Sequence, residues 1–229
     1  MGTAAERAGS RATSVRPASV VDAVYDHVYE QLMALDIAPG ARIPIDVIAR
    51  ELDVSQTPVR EAMSRLEREG LVRKAHLIGY SAAPQLTRKQ FDDLYTFRLL
   101  LEPECARLAV VNMTPDSLRL LEEAAADMEH GETPVDRTSR YSRFARADAH
   151  FHDAILRIAG NEVIRATLFN QHVHLHLFRL MFHTRVTQEA LEEHDNLLAA
   201  FRAGDAMAAE AAMREHILRS RDRLLAAFD

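Results

Sequence analysis

The sequence predicts a mostly α protein in two parts, an N-terminal winged helix-turn-helix and a C-terminal antiparallel α-helical bundle. Three observations carry this. Residues 54–72 read VSQTPVREAMSRLEREGLV, with Val59, Met63 and Leu66 at i, i+4 and i+7 on one face and Arg60, Ser64 and Glu67 on the other. Two short runs of strand character, residues 71–74 and 80–82, follow at once, joined by residues 76–79 with Gly79 supplying the turn. After Pro84 the spacing is helical throughout, with short loops and no strand alternation.

Taken in order, residues 1–17 are rich in Ala, Gly, Ser and Arg and read as a disordered tail. Residues 18–83 form the first domain. Ser19 or Asp22 caps a helix to about Leu35, with Val24, Val28 and Leu32 as its apolar stripe and Tyr25 and Tyr29 beside it. Pro39-Gly40 is a turn, and residues 42–45 add a short extended piece. A short helix over 46–52 is joined by Asp53-Val54 to a second, which Ser55 caps and Gly70 ends, glycine being cheap in the left-handed conformation. Two short helices with a tight turn, the second polar on its outer face, make a helix-turn-helix. The hairpin directly after makes it winged, and places Arg73, Lys74 and His76 near phosphates or a minor groove.

Residues 84–86 are the linker, and 87–229 the bundle. Thr87 caps a helix to about Asn112, in which Pro103 predicts a kink or local break. Thr114-Pro115 opens a helix to about His130, followed by a loop over 131–134. A helix over 138–159 ends at Gly160-Asn161. One helix is expected from Glu162 to about Arg185, with His183 near its end, where a cation suits the dipole. Thr187 caps a helix to Gly204, and Asp205 caps the last, to about Phe228. Six helices result.

Composition narrows the function. Charged residues make up 27% and apolar residues 48%, enough for a sizeable core. No apolar run approaches the ~20 residues of a membrane span, and residues 1–17 lack the apolar segment of a signal peptide. The single cysteine, Cys105, excludes an internal disulfide framework and fits a reducing, cytoplasmic setting. The net charge of −6 does not advertise nucleic-acid binding. Residues 54–76 nevertheless carry five basic against three acidic groups, so positive charge is local.

Eleven histidines are many. Asp148 and His152, at i, i+4, project from one helix face, and His194 and His216 lie on the next two predicted helices but one. Residues on separate helices can converge inside a bundle. One carboxylate with three imidazoles suits Zn, Ni, Co, Mn or Fe. The plain alternative is histidines scattered over surfaces and helix ends. A rival cluster is His172, His174 and His176. On a continuous helix His172 and His176 share a face while His174 points away, so a site there, or a place for the outer pair near the first site, stays open. Arg98 and Glu102 at i, i+4 form either a surface ion pair or a cavity-facing fork in which Arg98 holds a ligand carboxylate. No hydrolase elbow, phosphate loop or catalytic carboxylate pair is present.

Residues 54–63, then Arg65-Leu-Glu, Glu69-Gly-Leu-Val and Gly79, resemble the winged helix of the GntR family of bacterial transcription regulators. Phe97-Arg-Leu-Leu-Leu-Glu resembles the opening helix of that family's FadR-type ligand domain, FCD. Asp148-x-x-x-His152, the gap of 42 to His194 and the gap of 22 to His216 match the FCD metal pattern. The resemblance covers about residues 20–228. It implies a cytoplasmic homodimer, not an enzyme, that binds a double-stranded DNA operator of inverted repeats, in the manner of a repressor. It further implies a divalent metal on Asp148, His152, His194 and His216, and a small carboxylate effector beside it with Arg98. Ser55, Gln56, Thr57, Pro58, Arg60 and Arg65 fall in the DNA-contacting stretch, and Gly79 at the wing tip. Gln56 departs from the arginine frequent there. Two other readings follow from the same site: a sensor in which the ion itself is the signal, and a metalloenzyme activating water.

Overall fold

The computed structural model describes residues 19–129, 137–180 and 186–228. The expectations for the tail, for the loop over 131–134 and for His183 lie outside these residues.

The first helix, α1 (Val20–Met33), starts at Ser19, whose hydroxyl accepts from the Asp22 N–H while the Asp22 carboxylate accepts from the Ser19 N–H, a reciprocal capping box. Val24, Val28 and Leu32 are buried as the periodicity requires, and both tyrosines go in with them. A two-residue strand, β1 (Arg42–Ile43), leads into α2 (Ile45–Glu51), and Asp53 takes a positive φ of 51° in the tight turn to α3 (Gln56–Arg68). Val59, Ala62, Met63 and Leu66 are the buried stripe of α3, which packs on α1. Gly70 ends it at φ +70°. The wing is β2 (Val72–Ala75) against β3 (Gly79–Ala82), antiparallel with Val72 opposite Ala82. β1 adds to the far edge of β3, giving the order β1-β3-β2.

The bundle comprises α4 (Arg88–Val111), α5 (Pro115–Glu129), α6 (Arg137–Ala159), α7 (Glu162–Asn170), α8 (Val173–Phe178), α9 (Val186–Ala203) and α10 (Ala206–Leu225), with a 3-10 turn after it (Ala226–Phe228). Thr87, Asn161 and Asp205 each cap with a side-chain oxygen, as their residue types favour. α4 runs through the buried Pro103 as one helix, so the local break, one of the two outcomes expected there, does not occur. α10 lies along α4, and α6 packs on α4 and α5.

The helix expected to run unbroken from Glu162 is instead two. His172 adopts φ 47°, ψ 38°, a left-handed conformation rare for a residue with a Cβ, and splits it into α7 and α8. The periodicity reading missed this because neither glycine nor proline marks the position.

The two parts share one apolar cluster running from Val24 to Leu224. Polar ties cross the junction as well. Tyr29 donates to the Ser142 carbonyl at 3.4 Å, Arg146 pairs with Asp26 at 3.0 Å, and the Arg146 guanidinium lies 4.2 Å from the Tyr29 ring centre. The segment 84–86 is docked rather than loose, because Gln85 donates to the Arg179 carbonyl at 2.8 Å.

Candidate functional site

The interior of the bundle gathers titratable groups from five helices. α6 contributes Asp148 and His152 from one face, α9 contributes His194, and α10 contributes His216; all four are buried. Nitrogens of His152, His194 and His216 lie within 4.8 Å of one another, so three of the four residues singled out on sequence converge on one point. Asp148 borders it, with Oδ1 3.3 Å from His194 Nε2.

The hydrogen bonds around these rings decide which nitrogens remain to act. His152 Nδ1 is 2.9 Å from Glu102 Oε2, and His216 Nδ1 is 2.8 Å from Glu193 Oε2. A carboxylate on Nδ1 fixes the tautomer with the proton there and leaves the Nε2 lone pair facing inward. His152 Nε2 and both nitrogens of His194 are buried without a hydrogen-bond partner. Unpartnered buried imidazole nitrogens are costly on their own and are the donor set a transition-metal ion requires. The residues present therefore fit a divalent cation.

Electrostatics point the same way. Burial pushes all three imidazoles below the ordinary histidine range, His194 well below it, so they stay neutral and able to donate a lone pair. Burial alone would raise Asp148, but the hydrogen bond from His174 and the surrounding imidazoles hold it well below the usual carboxylate range. Burial likewise opposes ionisation of Glu102, and the Arg98 guanidinium with His152 overcomes it.

Two expectations about the neighbourhood change. His174, not His172 or His176, joins the interior: its Nδ1 is 2.7 Å from Asp148 Oδ2 and its ring centre 4.3 Å from that of His152. The left-handed turn at His172 rotates α8 and brings His174 round; His172 and His176 instead face Gly70 below the recognition helix. Glu102, His152 and His174 thereby form a second cluster that could hold an ion. Arg98 is fully buried and its fork is closed on Glu102, Nε to Oε1 at 2.7 Å and Nη2 to Oε2 at 3.3 Å. It is an ion pair, as one reading had it, yet an interior one. Arg98 lines a chamber with Asp148, His216, Ser220 and Arg223, of about 20 Å³.

At the other end of the molecule, Ser55, Gln56, Thr57 and Arg60 are exposed along the start of α3, with Pro58 half-buried. Arg60 bonds Gln56 Oε1 at 3.2 Å. Ser55 makes no side-chain cap bond, unlike Ser19 and Thr87, so its hydroxyl stays available. Gly79 stands at the wing tip with φ +96° and open space around it. Arg65, grouped with these on sequence, is partly exposed; it pairs with Asp22 at 2.6 Å and lies over the Tyr25 ring at 4.4 Å. Its position ties α3 to α1.

Residues 20–80 match the bacterial regulatory proteins of the gntR family, and residues 93–219 match the FCD domain. The chain belongs to the GntR family. It is a DNA-binding transcriptional regulator of the GntR/FCD type, and not an enzyme. It is 30% identical to an HTH-type transcriptional regulator of the TAR-I ttuE-ttuC′ intergenic region of Agrobacterium vitis, over 64% of this chain and 85% of that protein. It is 28% identical to a probable D-xylose utilization operon transcriptional repressor of Paenarthrobacter nicotinovorans, over 81% and 82%. The solved structure of E. coli McbR/YncC shares the fold, with a TM-score of 0.67 at 23% identity, over 92% of this chain and 99% of that one.

In this GntR/FCD chain, sequence reasoning missed Glu193, Ser220 and Arg223, and pointed His174 away from the interior it joins. Glu193 sits next to His194, and Arg223 follows His216 by two helical turns, so spacing held a signal for both. Arg223 also holds Glu193, Nη2 donating at 3.0 Å to the Oε2 that bonds His216. Among the described residues, no helix is long and apolar enough to cross a membrane.

Proposed function

We propose that this GntR-family chain is a cytoplasmic, homodimeric repressor that binds an inverted-repeat operator and responds to a small organic acid bound at a divalent metal in the FCD domain. The observation that carries the reading is the convergence of the neutral imidazoles of His152, His194 and His216 beside Asp148, with His152 Nε2 and both His194 nitrogens buried and unpartnered. Those four residues would hold the ion, with Glu102 and Glu193 orienting His152 and His216. Zn, Ni, Mn, Co and Fe all suit such a set. The bound ion supplies a Lewis-acidic position for a carboxylate. Arg98 stands at the chamber wall with Glu102 as its counter-charge and would share its guanidinium with the acid.

Ser55, Gln56, Thr57, Pro58, Arg60 and Gly79 form the surface offered to DNA. The repressor role is supported by the 28%-identical relative described as a probable repressor. Dimerisation follows the habit of the family and would pair two recognition helices about a two-fold axis. Effector binding changes the relative stability of bundle arrangements and hence the spacing of those helices.

A second reading has the ion itself as the signal. The small chamber favours it: about 20 Å³ beside Arg98 holds roughly one water and no larger acid without movement of the walls. One experiment separates the two. Gel shift on the upstream intergenic DNA is run with metal-free protein, with metal restored, and with metal plus a panel of organic acids. A change on adding metal alone supports the sensor; a change that needs the acid supports the effector reading; no DNA binding in any arm overturns both.

A further inference from the structure

A second cavity lies outside the metal chamber, between α6, α7 and α8, with a volume of about 240 Å³. Leu156, Leu168, Phe169 and Val173 make its walls. Phe169 is 58% exposed, a large ring left over the opening. The paired rings of His152 and His174 form the floor and separate this space from the chamber beside Arg98. The cavity exists because His172 is held left-handed. That conformation splits what would be one helix and lets α8 diverge from α7, at a cost of order 1 kcal/mol that local packing must sustain.

Arg146 also lines the cavity, with its side chain about half exposed. The acidic groups near it are already compensated. Glu102 is closed on Arg98, and Asp153 is held by Arg165 at 2.7 Å and by Arg157 at 3.1 Å. Arg146 itself pairs with Asp26 at 3.0 Å, but both side chains are about half exposed, so water and ligands can exchange with that bond. The site is thus a mainly apolar cavity lined also by His150 and His172, with Arg146 the one guanidinium in its lining. About 150 Å³ of apolar cavity suffices for benzene, and the extra volume here has room for a carboxylate directed at Arg146.

We propose that this cavity is a second ligand site, for an aromatic monocarboxylate whose ring lies on Leu156, Leu168 and Val173 and whose carboxylate takes Arg146 from Asp26. The consequence reaches the DNA-binding half. Arg146 sits over the rings of Tyr29 and Tyr25 at 4.2 and 5.2 Å, and its pair with Asp26 is a charged hold of α6 on α1. α1 in turn packs on the recognition helix α3. A carboxylate drawing the guanidinium toward the cavity weakens that hold. The regulatory consequence rests on the reading of the chain as a ligand-responsive regulator; the binding site itself does not.

The test uses full-length protein with isotope-labelled Leu and Val methyls, titrated with benzoate and, separately, benzamide. Benzoate is expected to shift the methyls of Leu156, Leu168, Val173 and Leu175, and benzamide to bind about tenfold more weakly, since it lacks the charge. Arg146→Gln should weaken benzoate to the level of benzamide. Ala149→Phe, which fills the cavity from α6, should abolish the shifts while leaving metal content unchanged. Absence of shifts at millimolar benzoate, equal binding of acid and amide, unchanged affinity in Arg146→Gln, or shifts confined to Leu177 and Leu224 at the other chamber each overturn the proposal. None of these outcomes touches metal content or gel shift, which test the function proposed above.

Discussion

Gly70 and His172 meet across the junction of the two domains: a Cβ at Gly70 would come within 2.8 Å of His172 Cδ2, and within 3.2 Å of His176 Nε2. The glycine therefore has two reasons to be there, its φ of +70° and the ring above it. Gly70→Ala should cost about 1–2 kcal/mol from backbone conformation alone, plus the clash. His172→Ala removes the ring, so the double mutant should lose less stability than the sum of the two singles. Chemical denaturation of the four proteins measures this. Additive losses would show that the two residues do not press on each other.

Arg179 anchors the segment between the domains. Its Nη2 donates to the Ala83 carbonyl at 2.9 Å, and its own carbonyl accepts from Gln85. It is buried, with Nε and Nη1 unpartnered, and burial lowers its pKa to about 10. Arg179→Met keeps the bulk and removes the anchor. Limited proteolysis within residues 83–87 should accelerate, with operator affinity changed little, because the recognition surface is untouched. Unaltered cleavage rates would mean that apolar packing alone holds the segment.

Arg60 and Arg65 sit five residues apart on α3 and should fail differently. Arg60 is exposed and, among the described residues, bonded only to Gln56 on its own helix. Arg60→Ala should weaken operator binding by about 1–3 kcal/mol and leave the unfolding temperature unchanged. Arg65→Ala removes the pair to Asp22 and the contact with Tyr25, so it should lower the unfolding temperature. At a temperature where it remains folded it should bind DNA nearly as well as the parent. Fluorescence anisotropy with thermal melts tests both, and a loss of affinity without a loss of stability in Arg65→Ala would show that this residue contacts DNA.

His176 predicts a pH dependence. Burial, helped by Arg179, His172 and Arg73, lowers its pKa to about 4 from an ordinary 6.5. In that interval the unfolded chain binds more protons than the folded one, so stability rises with pH. The contribution is complete above about 6.5 and is lost as pH falls toward 4. His176→Gln should flatten the stability profile between those limits relative to the parent. The buried interior histidines remain in both proteins, so the difference isolates His176. Parallel profiles would show that it is solvated in solution.

Much of this was legible from residues alone, and the reasons differ by feature. The helix-turn-helix could be read because its periodicity, caps and turn agree locally: Val59, Met63 and Leu66 are buried as spaced, and Gly70 takes the left-handed conformation. Convergence of His152, His194 and His216 is a tertiary fact, and spacing offered it only alongside alternatives. The failure at His172 is more instructive. A left-handed histidine has no compositional signature, and on a continuous helix it turns the wrong members of the His172, His174, His176 series inward. The contacts of Arg65 escaped the sequence for a related reason. Its partners, Asp22 and Tyr25, lie about forty positions earlier, and no local pattern announces them.

The two interior clusters make the last prediction. His152 belongs to both, with His194 and His216 on one side and Glu102 and His174 on the other. Beyond the shared His152, only the first adds unpartnered nitrogens, those of His194; His174 Nδ1 is bonded to Asp148, and Glu102 is closed on Arg98. His194→Ala should therefore lose the metal, and His174→Ala should retain it near stoichiometrically. Glu193→Gln replaces the charge that orients His216, and should weaken metal affinity about 10- to 100-fold without loss of fold. Elemental analysis of purified protein gives the stoichiometry, and chelator competition the affinity. The reverse pattern, metal kept in His194→Ala and lost in His174→Ala, would move the ion to the cluster of Glu102, His152 and His174.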